Sequence, residues 1–248
     1  MHSALARETH RYWIALARLI YPETCVFCKA ILEIDERLAC SSCLQKIPLL
    51  KPPLCKTCAM TLPPYGQTHS RCASCRRLTV YFDAGTALFC YRDEVKTLLH
   101  EVKFSKKPWY LKVLRPFFQN AKTPLPLASY DFLVPIPLDQ ERKREREFNQ
   151  SDTIARLLGI PRTLPPIRPL LAKVRQTEPQ SVLDRSKRLT NLEGAFRLAR
   201  GVSVSGKSIL LVDDVVTTGA TVNECAKCLK QHGANRVDFF SLARAVPS

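Results

Sequence analysis

The chain has 248 residues, 46% of them hydrophobic and 24% charged, the proportions of a folded protein able to bury a sizeable core. Its 38 Lys and Arg against 22 Asp and Glu leave a formal charge of +16, which favours a polyanionic partner such as nucleic acid or a phosphorylated small molecule. No run approaches the ~20 consecutive apolar residues of a bilayer-spanning helix, so that class is excluded.

Residues 1–24 carry Ala4, Leu5, Tyr12, Ile14, Leu16, Leu19 and Ile20 at spacings that predict an amphipathic docking helix ending before Pro22. Arg7, Glu8, Arg11 and Arg18 interrupt the segment. It lacks the charged start, apolar centre and cleavage site of a secretory signal, so a cytoplasmic location is expected.

Eight of the 11 cysteines fall between positions 25 and 75, as four Cys-x-x-Cys pairs: Cys25/Cys28, Cys40/Cys43, Cys55/Cys58 and Cys72/Cys75. Two residues between thiols let both sulfurs of a tight turn reach one ion, and two such turns complete a thiolate tetrahedron around zinc. A disulfide framework suits a reducing compartment poorly. Residues 25–80 therefore read as a module with two structural zinc ions, closed to substrate because four thiolates leave no open position. Two pairings stay open: sequential, or cross-braced with first pair on third. Pro48, Pro52 and Pro53 look like a connector and favour the sequential one. His69 is surplus to the ligand count. Lys46, Lys51, Lys56, Arg71, Arg76 and Arg77 give the module a basic surface.

Residues 81–248 form the second expected domain. Strands are predicted at 84–91, 131–137, 207–215 and 236–244, and helices at 93–104, 149–159 and 220–233. Strands alternating with helices imply a mainly parallel α/β sheet covered on both faces, with ligands at the carboxyl ends of its strands. Cys225 and Cys228 sit one turn apart in the last helix and read as core.

The rule about strand ends points to residues 210–221. The apolar strand runs into Asp213 and Asp214, then a loop, then a helix. Thr217, Thr218, Gly219, Ala220 and Thr221 supply hydroxyls and backbone N–H groups at a helix start, where the dipole favours an anion. The two acids suit vicinal ribose hydroxyls or a magnesium shell. Together they predict a 5-phosphoribosyl pocket. By contrast, Gly201 to Ser208 matches the spacing of a nucleotide-binding P-loop, but a strand follows it where a helix is required. It is rejected.

The run LLVDDVVTTGAT resembles the signature of type I phosphoribosyltransferases. With the cysteine pairs and the segments VPIPLDQERKREREFNQS and RQTEPQSVLDRSKRLTNLEGAF, nearly the whole chain resembles the ComF family of competence-associated proteins. The resemblance implies a type I phosphoribosyltransferase-like fold behind a double zinc ribbon, and a link to uptake of single-stranded DNA. It assigns the ribose hydroxyls to Asp213 and Asp214, and the 5-phosphate to residues 217–221. Arg142, Arg146, Phe148, Asn149 and Gln150 match a motif beside the pyrophosphate-binding loop that follows Val134 to Pro137, with Glu147 where Gly is usual. Gln176, Thr177, Gln180, Leu183, Arg185, Arg188 and Asn191 match a lid or DNA-facing element, and Lys103 with Phe104 a further dipeptide. Arg142, Arg146, Asn149, Gln176, Arg185 and Arg188 are thus the expected pyrophosphate- or DNA-facing set. The basic residues fit a polyanion: positions 162–207 hold ten basic residues against three acidic.

Two functions of different class follow. One is handling of single-stranded DNA during natural transformation, with a basic channel for the backbone and aromatics such as Tyr65, Trp109, Tyr110 and Phe148 to stack bases. The phosphoribosyl pyrophosphate site, with magnesium, is retained in that reading, and DNA-uptake or recombination proteins are expected partners. The other is transfer of the phosphoribosyl group to a nitrogen nucleophile, by positioning and electrostatics. No nucleophile pocket or general base stands out, and His100 and His232 look ordinary, so DNA handling is preferred.

Overall fold

The structure is a computed structural model, and it describes residues 21–33, 35–63, 70–120, 123–159, 164–175 and 192–246. The expected N-terminal helix, His69, Tyr65 and the segment from Gln176 to Asn191 lie outside them. Contacts divide the chain into two compact units, residues 1–47 and 48–248. The sequence groups all eight paired cysteines in residues 25–80. By contacts, the second cysteine cluster falls within the unit that holds the large sheet: Leu50 N donates to Leu88 O and Cys90 N to Pro48 O, binding its leading segment to that sheet.

In the first unit a knuckle at Cys25 to Cys28 closes through Lys29 N donating to Cys25 O at 2.9 Å, and Cys25 N to Ala30 O at 2.8 Å. Cys40 then caps a short helix, α1 (Ser41–Lys46), which carries Cys43 inward.

The second unit opens with the same device. Ala59 N donates to Cys55 O at 2.9 Å, Cys55 N to Met60 O at 2.8 Å, and Cys72 caps α2 (Ala73–Arg77). Strand β1 (Gly85–Cys90) follows, then α3 (Asp93–Phe104), whose Val95, Leu98, Leu99 and Val102 repeat at helical spacing and are buried. A 3-10 turn (Pro108–Leu114) leads into α4 (Arg115–Asn120). Strand β2 (Phe132–Pro135) is followed by α5 (Gln140–Arg146) and α6 (Gln150–Leu158). A small antiparallel pair, β3 (Leu171–Lys173) with β4 (Phe196–Leu198), precedes β5 (Ser208–Val216), α7 (Ala220–Gln231) and β6 (Arg236–Arg244).

The main sheet has the order β1-β6-β5-β2, every pair parallel. Successive strand residues face opposite ways. Ile209, Leu211, Val237 and Phe239 pack with Val222, Cys225, Ala226 and Leu229 of α7. On the other face Phe240 meets Phe118 of α4, ring centroids 6.1 Å apart. Helices therefore cover both faces, as expected. Gly85 is required here: a Cβ on it would lie 2.0 Å from the Phe239 ring, which packs edge-on against Phe82.

Candidate functional site

Strand β5 carries its apolar run through the core and delivers Asp213 and Asp214 to its carboxyl end. Asp213 Oδ1 accepts from Asp214 N at 2.9 Å and from Ser151 Oγ at 3.4 Å. Burial pushes its carboxyl well above the usual carboxylate range, and the neighbouring Asp214 charge adds to the effect. Asp214 accepts from Val215 N at 2.8 Å, and its other oxygen pairs with Lys103 Nζ at 2.7 Å. The end of α3 thus brings a cation to the acidic pair.

A cavity of about 170 Å³ opens beside these acids. Arg142 and Arg146 line it from α5, Gln150 and Ser151 from α6, Lys173 from β3 and Thr221 from α7. Lys173 pairs with Asp139 at 3.2 Å, both side chains nearly buried, and burial lowers the lysine against that carboxylate. Asp139 also caps α5, accepting from Arg142 N at 2.9 Å. Arg146 is half-buried and pulled down by desolvation, with the Asp214 charge opposing. Its guanidinium reaches Gln150 Oε1 at 3.4 Å. That contact leaves Gln150 Nε2 buried with no partner, although the residue is only 1% exposed and lines the cavity. An unmet buried donor is destabilising by about 1–3 kcal/mol, so an acceptor oxygen arriving in the cavity would be favoured.

The expected residues divide between two places. Asp213, Asp214, Arg142, Arg146 and Thr221 meet at the cavity. Asn149 turns away: as the cap of α6 it accepts from Ser151 N at 3.1 Å and donates to Ile136 O at 2.9 Å. Thr218, Gly219 and Ala220 instead line a second, more apolar cavity of about 180 Å³, and of the loop residues 217–221 only Thr221 borders the first. Gly219 caps α7 with φ of 86°, the left-handed region that glycine enters without strain, and Ala220 N donates to Thr218 Oγ1 at 3.3 Å. Gln176, Arg185 and Arg188 lie outside the described residues. Lys173 carried no sequence signal of its own, and Asp139 and Ser151 lay in the segment VPIPLDQERKREREFNQS without being singled out, because Lys173 meets Asp139 across 34 positions and Ser151 meets Asp213 across 62.

The segment at Gly201 to Lys207 is a turn pair before β5, with Lys207 Nζ on Asp131 at 3.0 Å, so the P-loop spacing has no P-loop behind it. Cys225 and Cys228 are buried in α7, as core.

The cysteines settle their pairing. Cys25, Cys28, Cys40 and Cys43 form one cluster and Cys55, Cys58, Cys72 and Cys75 another, with all four sulfurs in each within 4.8 Å of one another. Cys28 and Cys40 sulfurs are 3.8 Å apart, Cys58 and Cys72 sulfurs 3.6 Å. A tetrahedron with zinc–sulfur bonds of about 2.3 Å has edges of about 3.8 Å, so both donor sets fit the ion. The pairing is sequential.

A double zinc ribbon family model matches residues 16–76, and a phosphoribosyl transferase domain model matches residues 151–246. The DNA utilization protein YhgH of Escherichia coli K12 is 30% identical over 232 residues, which cover 92% of this chain and all of that protein. The chain belongs to the ComF family. Competence protein F of Haemophilus influenzae is 29% identical over 89% of this chain and 96% of its own length. Competence protein ComFC of Bacillus subtilis is 29% identical over 87% of each. A hypoxanthine phosphoribosyltransferase of Staphylococcus aureus superposes over 58% of this ComF-family chain and 64% of its own, at 10% identity and a TM-score of 0.27, too low to decide anything.

Proposed function

We propose that the cavity at the end of β5 binds phosphoribosyl pyrophosphate with magnesium, and that the protein handles single-stranded DNA in a competence or DNA-utilization role. The observation carrying the first part is the make-up of the cavity: an acidic pair at a strand end, faced by Lys103, Arg142, Arg146 and Lys173, with the Gln150 amide lacking an acceptor. Asp213 and Asp214 suit vicinal hydroxyls, and the loop from Thr217 to Thr221 suits the 5-phosphate. The arginines suit pyrophosphate, whose oxygens their forked donors match. Magnesium, when bound with the ligand, would offset its negative charge; Lys103 holds Asp214 until then.

The names of the curated relatives, competence and DNA-utilization proteins, support the second part, as does the +16 charge. Expected partners are single-stranded DNA and proteins of DNA uptake or recombination, in the cytoplasm. Among the described residues no helix is long and apolar enough to cross a membrane.

The deciding experiment titrates phosphoribosyl pyrophosphate and magnesium into wild type and an Asp213→Asn, Asp214→Asn variant by calorimetry. Heat in the wild type that vanishes in the variant supports the site; none in folded, zinc-loaded wild type sinks it. For DNA, anisotropy of a labelled single strand should lose affinity steeply between about 50 and 200 mM salt, and on Arg185→Glu, Arg188→Glu. Binding indifferent to both rules out a basic channel. The match to a phosphoribosyl transferase domain favours a second reading, transfer to a nitrogen nucleophile, which pyrophosphate release with a panel of amines would reveal.

A further inference from the structure

Arg244, the last residue of β6, is 2% exposed and among the largest fully buried side chains of the molecule. Its guanidinium donates through Nη1 to the carbonyls of Val216, at 2.7 Å, and Thr217, where β5 gives way to the phosphate loop. Through Nη2 it lies 3.8 Å from Cys58 Sγ. Nε has no partner, and among the described residues no carboxylate stands within ion-pair distance of the side chain. An arginine does not give up its proton in a protein, and an unpaired buried charge is strongly destabilising. Among the described residues, the negative charge that this cation needs is at hand in the cysteine cluster: four thiolates around one divalent ion remain net negative.

A second tie runs beside it. Asn223, in the first turn of α7, accepts from Tyr81 N at 2.7 Å and donates to Thr79 O at 3.1 Å, both in the segment just after Cys75. Cys58, Cys75, Arg244, Thr218, Gly219 and Ala220 border one cavity. The second cluster therefore backs directly onto the loop.

We infer that Arg244 is a positioning residue that couples zinc at the second cluster to the shape of the phosphate loop, so that this ion, and not the one at Cys25 to Cys43, sets the cradle for the 5-phosphate. The last clause rests on the reading of residues 217–221 given above; the coupling itself does not. Zinc fixes Cys58, the thiolate charge holds the guanidinium, and the guanidinium holds two carbonyls of the loop in register. Lysine keeps the charge but lacks the fork that spans carbonyls and sulfur together.

The test uses the full zinc-loaded chain as wild type, Arg244→Met, Arg244→Lys and a Cys25→Ser, Cys28→Ser double variant. It reads zinc per chain, release of each ion to a chelator, and hydrogen exchange of residues 213–222. Arg244→Met is expected to speed loop exchange roughly tenfold or more and to release the second ion faster, with Arg244→Lys between it and wild type. The double cysteine variant is expected to lose one ion and leave loop exchange unchanged. By reciprocity, saturating phosphoribosyl pyrophosphate with magnesium should slow loss of the second ion in wild type but not in Arg244→Met. Wild-type loop exchange in Arg244→Met with both ions held overturns the inference, as does loosening of the loop when only the first ion is lost. Should Arg244→Met fail to fold, graded chelation of the wild type decides: removal of the second ion must loosen the loop, and an unchanged loop overturns the coupling. If wild type binds no phosphoribosyl pyrophosphate, the phosphate reading falls while the exchange and release measurements still decide the role of Arg244.

Discussion

The two cysteine clusters are local repeats set in different surroundings. Each has a knuckle closed by a left-handed residue, Lys29 in one and Ala59 in the other. In each, the third cysteine caps a short helix and its N–H reaches the sulfur of the first cysteine, at 3.4 Å from Cys40 to Cys25 and 3.3 Å from Cys72 to Cys55. The burial differs. Cys28 is exposed and Cys40 half-buried, whereas Cys55, Cys58, Cys72 and Cys75 are all buried, in one apolar cluster with Val216, Ala220 and Val222. The same ligand set thus holds together about 20 residues in one case and supports the core of an α/β domain in the other. What an ion does for a fold depends on what its ligands are packed against.

The largest effect should separate the clusters outright. Structural zinc contributes folding energy directly, on the order of 10 kcal/mol in small zinc modules, and a buried ligand leaves no water to replace it. Cys58→Ser should lower stability of residues 48–248 by several kcal/mol, read as faster exchange throughout β5 and β6 and an earlier thermal transition. Cys28→Ser should loosen only residues 21–47. Equal damage to the sheet from both substitutions would break the comparison.

A smaller effect is expected at the loop that the second cluster backs. Gly219 has φ of 86° and nothing within 4 Å of where a Cβ would stand, so Gly219→Ala meets strain without a clash. Left-handed backbone at a residue with a Cβ is disfavoured by about 1–2 kcal/mol. The variant should fold, keep both zinc ions and bind phosphoribosyl pyrophosphate about tenfold more weakly. Undiminished affinity would show that the loop does not carry the phosphate.

Asp213 sharpens the contrast from the cavity side. Its carboxyl is raised in the folded protein, so it binds a proton more tightly folded than unfolded. The resulting stabilisation is complete below the unfolded value of about 3.9 and is lost as pH rises through the folded value. Asp213→Asn keeps an oxygen for Ser151 and Asp214 N while removing the buried charge. Its thermal midpoint should match wild type near pH 3.5 and exceed it by a few degrees at neutral pH. A gap that closes with rising pH would reverse the assignment.

How far these features were legible depends on how far apart their partners lie. The strands at Gly85, Phe132, Ser208 and Arg236, and the helices at Asp93, Gln150 and Ala220, announce themselves by periodicity and by stops such as Gly159. The cysteine spacing announces a zinc site because ligands of one ion come in local pairs. Helix α5 was hidden: Gln140 to Arg146 buries nothing, so it has no apolar stripe, and its start rests on the Asp139 cap. The β3–β4 pair is three residues a strand, too short for alternation to register. Lys173 meets Asp139 across 34 positions and Arg244 meets Cys58 across 186. Such pairs exist only once the sheet has formed, and a terminal Leu-Ala-Arg reads as an unremarkable strand end.

The smallest expected effect lies away from both clusters, at Glu147. It closes α5 with φ of 66°, in the left-handed region that favours glycine, so a residue with a Cβ sits there at the expense of strain. Its side chain pairs with Lys106 Nζ at 2.5 Å, but the two side chains are 69% and 48% exposed. An exposed pair contributes less than about 1 kcal/mol and is screened by salt, while left-handed strain at a residue with a Cβ is about 1–2 kcal/mol. Strain relief should win. Glu147→Gly is expected to stabilise residues 48–248 by about 0.5 kcal/mol, a rise of roughly 1–2 °C in thermal midpoint that grows in high salt. Zinc release from either cluster should not change, since Glu147 borders no part of the cavity shared by Cys58 and the loop. A midpoint that falls in low salt and recovers in high salt would mean that the Lys106 pair outweighs the strain, and that a working ion pair holds a position that favours glycine.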